Sequence, residues 1–301
     1  MKKLAGLDYE KAVKYLNEQA RPLERALYQY HFEGGAGDAV LYELAAYQNA
    51  DGGFGRGLGP DIRLDDSSVN ATAIAFQRLR EISAPADHPV VVNACRYLVA
   101  TYNEKRINWP IIPINIDDAP HAPWWVHGGD LEKSMCNPRV GLAGYANDYP
   151  EHFPMREALT QAVFDYLFQQ PDQMEMHDLL SYIQFWETKT LPDEKRARVL
   201  DKLLRVVENT VERDATQWKN YVLSPLFVVS SPESPFAALF PVEIEQNLDY
   251  LIDCRNESGV WEPNWSWGGL WPEVWALARR EWTGVQTLSS LRKLKAFGRI
   301  D

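Results

Sequence analysis

Hydrophobic and polar positions recur with the period of an α-helix over most of this chain. In residues 38–47 the apolar side chains Val40, Leu41, Leu44 and Ala45 fall on one stripe of a helix surface. The charged segment 192–213 shows the same spacing of apolar residues. No run of strands alternates with helices along the sequence. The pattern therefore predicts an all-α protein with about twelve helices.

Polar caps and prolines indicate where these helices begin, because Pro at a first helical position gives up an N–H that has no partner there. The predicted helices span roughly residues 8–20, 38–47, 67–79, 89–102, 154–170, 173–188, 192–213, 243–255, 272–282 and 284–297, and a further helix opens at Pro22. The short apolar run Leu226–Val229 lies between prolines and is predicted to be irregular.

Two long stretches interrupt the helical pattern. Residues 50–66 are rich in glycine and polar side chains, and residues 105–138 contain Pro110, Pro113, Pro120 and Pro123 among aromatic and acidic residues. Loops of this length without regular structure are uncommon in compact domains and are often functional. No flexible linker or shift of composition marks a boundary, so we expect a single domain over residues 1–301.

Composition and charge exclude several classes of protein. A chain with 46% hydrophobic and 12% aromatic residues can bury a large core and is not disordered. A net charge of −11 without a basic run argues against a nucleic-acid partner. The apolar runs are far shorter than the roughly 18–20 residues of a membrane helix, and we expect no transmembrane segment and no signal peptide. Three widely spaced cysteines suit a cytoplasmic protein, and the oligomeric state stays open.

A short motif is repeated within the chain. Gln48–Phe54 and Arg255–Trp261 share the order (Gln/Arg)-Asn-x-(Asp/Ser)-Gly-x-aromatic at the same spacing, and each follows an apolar helix. A degenerate third copy runs from Tyr97-Leu98 through Asn103 to Trp109. The glycine permits the left-handed conformation that ends a helix. A unit of this kind cannot bury its own apolar face and has to pack against its neighbours.

The motif Gln-x3-Gly-x-(Phe/Trp) resembles the QW repeat of squalene–hopene cyclase and oxidosqualene cyclase, and it is similar to the repeat of protein prenyltransferase β-subunits. The segment from Trp261 to Phe297 resembles a closing repeat of this superfamily. The resemblance is carried by residues 40–90 and 240–300. It implies an α–α toroid, in which six or so helical hairpins form two concentric rings around an apolar central cavity. It also implies a terpenoid cyclase-like or prenyltransferase-like protein that binds or transforms an isoprenoid or a similar apolar ligand.

Acidic residues stand where such a toroid would have the mouth of its cavity. Asp61, Asp65 and Asp66 precede the helix that begins near Ser67, which resembles the Asp-x-Asp-Asp-Thr-Ala motif of class II terpene cyclases. The resemblance makes Asp65 the general acid that protonates the substrate, with Asp66 next to it. Arg63 replaces the first Asp of that motif, and a nearby Arg favours the ionised carboxylate. In the alternative interpretation, Asp65 and Asp66 cap the helix and interact with its dipole.

Tryptophans supply candidate ligand-binding surfaces, because aromatic faces stabilise carbocations. Trp124 and Trp125 lie on a proline-stiffened loop with Asp117 and His121, and a second cluster contains Trp265, Trp267, Trp271 and Trp275. Where the chain is helical, Trp267, Trp271 and Trp275 would share one face. Alternatively, these rings pack between helices in the ordinary way. An aromatic platform beside Asp117 and Asp118 is equally what a sugar-binding subsite needs.

We expect no metal and no cofactor. His121, His127 and Cys136 do not match a tight zinc pattern, and Asp117-Asp118-Ala119-Pro120-His121 lacks the last aspartate of a magnesium motif. Three functional hypotheses remain. The first is an isoprenoid-binding protein or, if an enzyme, a class II terpene cyclase-like isomerase or lyase. The second is a carbohydrate-active or carbohydrate-binding toroid, and the third is a non-catalytic interaction scaffold.

Overall fold

The computed structural model of the protein describes residues 1–126 and 136–300. Regular structure in these two ranges is helical, and strand-like pairing there is limited to isolated bridges. The α-helices are α1 (Gly6–Glu18), α2 (Pro22–Phe32), α3 (Gly37–Ala45), α4 (Val69–Glu81), α5 (Pro89–Thr101), α6 (Arg139–Asp148), α7 (Arg156–Gln169), α8 (Met176–Trp186), α9 (Asp193–Thr210), α10 (Pro225–Val228), α11 (Pro241–Asp253) and α12 (Pro272–Ala296). The predicted all-α class is confirmed. Within the described ranges, no helix is both long enough and apolar enough to cross a membrane.

Three helices differ from the sequence prediction. Helix α6 was not predicted, because Arg139–Asn147 are all buried and show no polar stripe. The segments predicted as separate helices at 272–282 and 284–297 form one helix, α12. Gly284 lies inside it, and a Cβ atom there would come within 3.0 Å of the Ala20 Cβ, so the glycine serves close packing and not a break. Leu226–Val229 was predicted to be irregular, but Pro225–Val228 forms the short helix α10.

Contacts divide the chain into two compact units. Unit 1 comprises Met1–Val40 and Thr210–Asp301, and unit 2 comprises Leu41–Asn209. In unit 1, α12 packs against α1 and α2. The two ends of this unit's sequence are joined by Arg299, whose backbone carbonyl accepts from the Leu4 N–H at 2.8 Å. The single domain over residues 1–301 stays a prediction.

Helix α6 occupies the interior of unit 2, where it contacts α4, α7 and α8. Phe76 of α4 stacks on Tyr145 of α6 with ring centroids 5.6 Å apart. The guanidinium of Arg80 lies 4.3 Å from the same Tyr145 ring, and it donates to Asp148 Oδ2 at 2.6 Å and to the Gln184 carbonyl at 2.6 Å. One cation therefore ties α4, α6 and α8 together. Burial raises the pKa of Asp148, and the Arg80 charge opposes that shift.

Candidate functional site

Three stretches fold into the same hydrogen-bonded turn. We call them the Asn49 turn (residues 48–54), the Asn103 turn (102–109) and the Asn256 turn (255–261). In each, the asparagine N–H donates to a carbonyl oxygen across the turn: Asn49 to Gly53 at 2.8 Å, Asn103 to Asn108 at 2.8 Å and Asn256 to Val260 at 2.9 Å. The repeated sequence motif, including its degenerate copy, therefore corresponds to one recurring backbone structure.

The aromatic residue that ends each turn is buried. Trp109 and Trp261 are 0% and 4% exposed. Their indole N–H groups donate at 2.7 Å to the carbonyl oxygens of Leu98 and Leu251, each in the helix that precedes the turn. Phe54 is 0% exposed and has no such donor. The indoles of Trp109 and Trp261 fasten their turns to the preceding helices, which is a structural role.

The Asn103 turn departs from the other two at its left-handed residue. That residue is glycine in the first and last turns, with φ of 92° at Gly52 and 77° at Gly259. In the Asn103 turn, which is one residue longer, it is Ile107 with φ of 51°. A β-branched side chain is strained in this conformation, and such strain persists only where the surrounding structure enforces it.

The predicted acids lie at the entrance to α4, but they do not cap it. Ser68 is the N-cap, and its side chain accepts from the Ala71 N–H at 3.0 Å. Asp65 and Asp66 are exposed, and Asp66 Oδ2 accepts from the Asn115 side-chain amide at 2.7 Å. Their backbone lies tightly against Gly55, where a Cβ atom would come within 2.2 Å of the Asp66 carbonyl oxygen. The helix-capping interpretation of Asp65 and Asp66 is therefore wrong.

Asp61 differs from its two neighbours because it is only 8% exposed. Its backbone carbonyl accepts from the Ala122 N–H at 2.9 Å, and the Arg63 N–H donates to the Pro120 carbonyl at 3.0 Å. A bridge between Ile62 and His121 completes this pairing of residues 61–63 with residues 120–122. Two loops that are distant in sequence are thereby held side by side.

This pairing gathers most of the residues that the sequence singled out into one place. We call it the aspartate–tryptophan surface, made up of Asp61, Asp65, Asp66, Asp117, His121, Trp124 and Trp125. The His121 Nδ1 atom lies 3.0 Å from the Ala119 carbonyl oxygen, which only accepts, so Nδ1 carries a proton. The Nε2 atom of the same ring lies 3.6 Å from Asp117 Oδ1, and the Asp117 side chain is 82% exposed.

The two tryptophans of this surface have different environments. Trp124 is 39% exposed. Trp125 packs against a buried aliphatic cluster, which consists of Ile62, Leu64, Ile111, Ile112 and Ile116. The Trp125 indole N–H is buried and has no hydrogen-bond partner within residues 1–126 and 136–300. A void of about 10 Å³ borders this cluster, lined in part by Gly55, Leu58, Ile62 and Leu64; it has room for about one water molecule.

The other predicted tryptophans belong to unit 1. Trp267 precedes α12 and is fully buried, so Trp267, Trp271 and Trp275 do not share one helical face as predicted. Trp267 instead meets Trp275 with ring centroids 5.6 Å apart. Trp271 is 52% exposed and sits at the N-cap of α12 with a left-handed φ of 47°. Trp265 lies between Tyr221 and Trp282 in edge-on contacts with centroids 5.5 and 5.2 Å away.

Sequence reasoning missed a cleft in unit 2. It has a volume of about 630 Å³ and follows the Asn103 turn; its described lining is Thr101, Tyr102, Asn103, Glu104, Lys105, Arg106, Asn108, Trp109, Pro110 and Arg139. Tyr102 and Trp109 meet edge to face across 5.0 Å. Burial and the neighbouring Glu104 carboxylate raise the pKa of Tyr102. The adjacent basic pair Lys105-Arg106 in a long loop was the available sequence signal.

Metal binding finds no support in the described ranges. No group of three His, Cys, Asp or Glu side chains in residues 1–126 and 136–300 is arranged to hold a metal ion. His127, which the sequence offered as a candidate zinc ligand, lies outside the described residues. Comparison with known proteins found no matching family model, no matching curated protein and no matching solved structure.

Proposed function

We propose that the protein binds a carbohydrate, an oligosaccharide, at the aspartate–tryptophan surface. The observation that carries the proposal is the pairing of residues 61–63 with residues 120–122, which brings the loop of Asp65 and Asp66 next to the loop of Asp117 and Trp124. A sugar ring offers an apolar C–H face and a rim of hydroxyl groups. Trp124 supplies a flat apolar partner for that face, while Asp66 and Asp117 supply hydrogen-bond acceptors for the hydroxyls.

The openness of this surface favours a hydrated ligand over an apolar one. The Asp117 side chain is 82% exposed, and Asp65, Asp66 and Asp118 are exposed as well. A hydrated oligosaccharide can exchange its water for these acceptors without requiring an enclosed site. An isoprenoid needs apolar walls on all sides, which this open surface does not provide.

Replacing Trp124 with alanine should weaken oligosaccharide binding at least tenfold, because the stacking face is lost while the acceptors remain. Binding is measured by calorimetric titration of the wild-type chain and the variant with a panel of oligosaccharides. Tyr42→Ala is the matched control, because it removes another exposed aromatic ring of unit 2, one that is 78% exposed. Equal binding by wild type and Trp124→Ala would refute the site, and no binding by wild type would refute the function.

We propose an isoprenoid ligand as the second candidate function, and a different observation favours it. Asp61 is only 8% exposed. It directly precedes Ile62, which belongs to the aliphatic cluster against which Trp125 packs. A carboxyl group that donates a proton to an alkene needs surroundings poor in water. Asp61 has such surroundings, whereas Asp65, the residue that the cyclase resemblance selects, is exposed.

Replacement of each aspartate separates these assignments. If the protein turns over a polyprenyl substrate, Asp61→Asn should abolish turnover and Asp65→Asn should reduce it less than tenfold. Product formation is followed by chromatography of extracted lipids, and circular dichroism checks that both variants fold. Loss of turnover in Asp65→Asn alone would restore Asp65 as the acid. Absence of any turnover, together with absence of sugar binding, would leave the interaction-scaffold hypothesis.

We further propose that the helices form an α–α toroid related to the terpenoid cyclase and prenyltransferase superfamily. The support is the recurrence of one helix-ending turn at residues 48–54, 102–109 and 255–261, each closed by a buried aromatic ring. An experimental structure with an inner and an outer ring of helices would establish this arrangement.

Cys95, Cys136 and Cys254 are free thiols, which supports a cytoplasmic location.

A further inference from the structure

The cleft at the Asn103 turn carries a charge opposite to that of the protein. The chain as a whole has a net charge of −11. Among the described residues that line the cleft, Lys105, Arg106 and Arg139 are cationic and Glu104 is the acid. A local excess of positive charge on an acidic protein concentrates anions at that place. Its volume of about 630 Å³ lies within the range of small-molecule sites.

The basic side chains of the cleft differ in their exposure to solvent. Arg139 is 3% exposed, and its Nε–H donates to the Trp109 carbonyl at 3.0 Å, which fixes the guanidinium at the cleft wall. Lys105 and Arg106 are exposed. Two exposed cations thus line the same cleft as a buried one.

The position of the cleft within the repeat is informative. The Asn49 and Asn256 turns have a glycine at their left-handed residue, and neither has a basic residue between its asparagine and its closing aromatic. The Asn103 turn is longer by one residue, contains Lys105-Arg106, and holds Ile107 in a strained left-handed conformation. Fastening a helix end requires neither the cations nor the strain, because the other two turns do it without them. Strain of this kind concentrates at functional sites.

We propose that this cleft is a binding site for a small phosphorylated molecule. The phosphate binds the exposed Lys105-Arg106 pair in the cleft, because a group with about two negative charges matches two cations better than a single carboxylate does. Tyr102 forms the wall against which an apolar or planar part of the ligand packs. The site is separate from the aspartate–tryptophan surface and does not depend on the function proposed for it.

Calorimetric titration at low ionic strength tests the proposal with three probes: inorganic phosphate, phenyl phosphate, and vesicles that contain an anionic phospholipid. Wild type should bind phenyl phosphate more tightly than inorganic phosphate, because the ring adds contact with Tyr102. Binding should weaken as salt is added. The proposal would be overturned if the wild type bound neither inorganic phosphate nor phenyl phosphate, whether or not it bound the vesicles.

Two variants locate the binding site. Lys105→Gln/Arg106→Gln should weaken phenyl phosphate binding at least tenfold while circular dichroism stays unchanged, since both side chains are exposed. The control Arg279→Gln/Arg280→Gln removes the same charge from exposed positions of unit 1 and should bind like wild type. Equal weakening by both double variants would show that net charge, and not this cleft, accounts for binding. Arg139→Gln also removes the hydrogen bond to the Trp109 carbonyl. Its effect on binding is therefore interpreted together with that of Lys105→Gln/Arg106→Gln.

Discussion

Replacing Trp109 with alanine should lower the free energy of unfolding by about 3–5 kcal/mol. The side chain is fully buried, and its loss leaves a cavity between the Asn103 turn and α5. The change also removes the indole hydrogen bond to the Leu98 carbonyl and the ring contact with Tyr102. Urea denaturation, followed by circular dichroism, measures the loss.

Two milder variants divide this effect into its parts. Trp109→Phe keeps most of the ring volume and should cost about 1–2 kcal/mol, mainly the lost indole bond and the partner left unsatisfied. Trp124→Ala, at a ring that is 39% exposed, should cost far less than Trp109→Ala. If Trp109→Ala proved no more destabilising than Trp124→Ala, the fastening role of the turn's closing aromatic would be wrong.

Replacing Arg299 with alanine should cost about 2–4 kcal/mol of unfolding free energy. Arg299 is 1% exposed, and its guanidinium donates to Asp249 Oδ1 and Glu245 Oε2, both at 2.7 Å, and to the Lys2 carbonyl. The two carboxylates are about half exposed and can regain water, so the loss comes mainly from the cavity and from the Lys2 carbonyl.

Arg299→Met separates packing from charge. The Arg299 Nε atom is buried and has no hydrogen-bond partner in the described part of the chain. Methionine fills most of the space, so it should recover part of what alanine loses. Arg205→Ala serves as the control, because its ion pair with Asp172 is largely exposed and should be worth less than about 1 kcal/mol. A loss in Arg299→Ala no larger than in Arg205→Ala would contradict the assignment.

Most helices could be predicted because one face of each is polar. Helix α9 has the clearest division between charged and apolar positions, and its predicted span, 192–213, contains the observed Asp193–Thr210. Helix α6 has no polar face, so the periodic signal is absent although the helix lies at the centre of unit 2. A helix is buried on every side because other helices pack around it. The hydrophobic pattern of its own segment holds no information about those neighbours.

The candidate site was predictable residue by residue but not as an arrangement. Asp66, Asp117 and Trp124 each stood out by type and by position in a long loop. What sequence reasoning could not supply was the pairing of residues 61–63 with residues 120–122, because two irregular loops carry no register signal. The stripe of Trp267, Trp271 and Trp275 failed because two glycines with positive φ, Gly268 and Gly269, keep Trp267 outside the helix.

The division of unit 1 between residues 1–40 and 210–301 has a consequence for synthesis on the ribosome. Unit 2 is continuous in sequence, so all of it is synthesised before residues 210–301 of unit 1. At about 5–20 residues per second, α1 and α2 wait for roughly 12 to 50 seconds before α12 has been made. Leu16, Leu23 and Leu27 of these helices are buried in the folded unit. In the nascent chain, α1 and α2 therefore lack their α12 packing partner until residues 272–296 have been made.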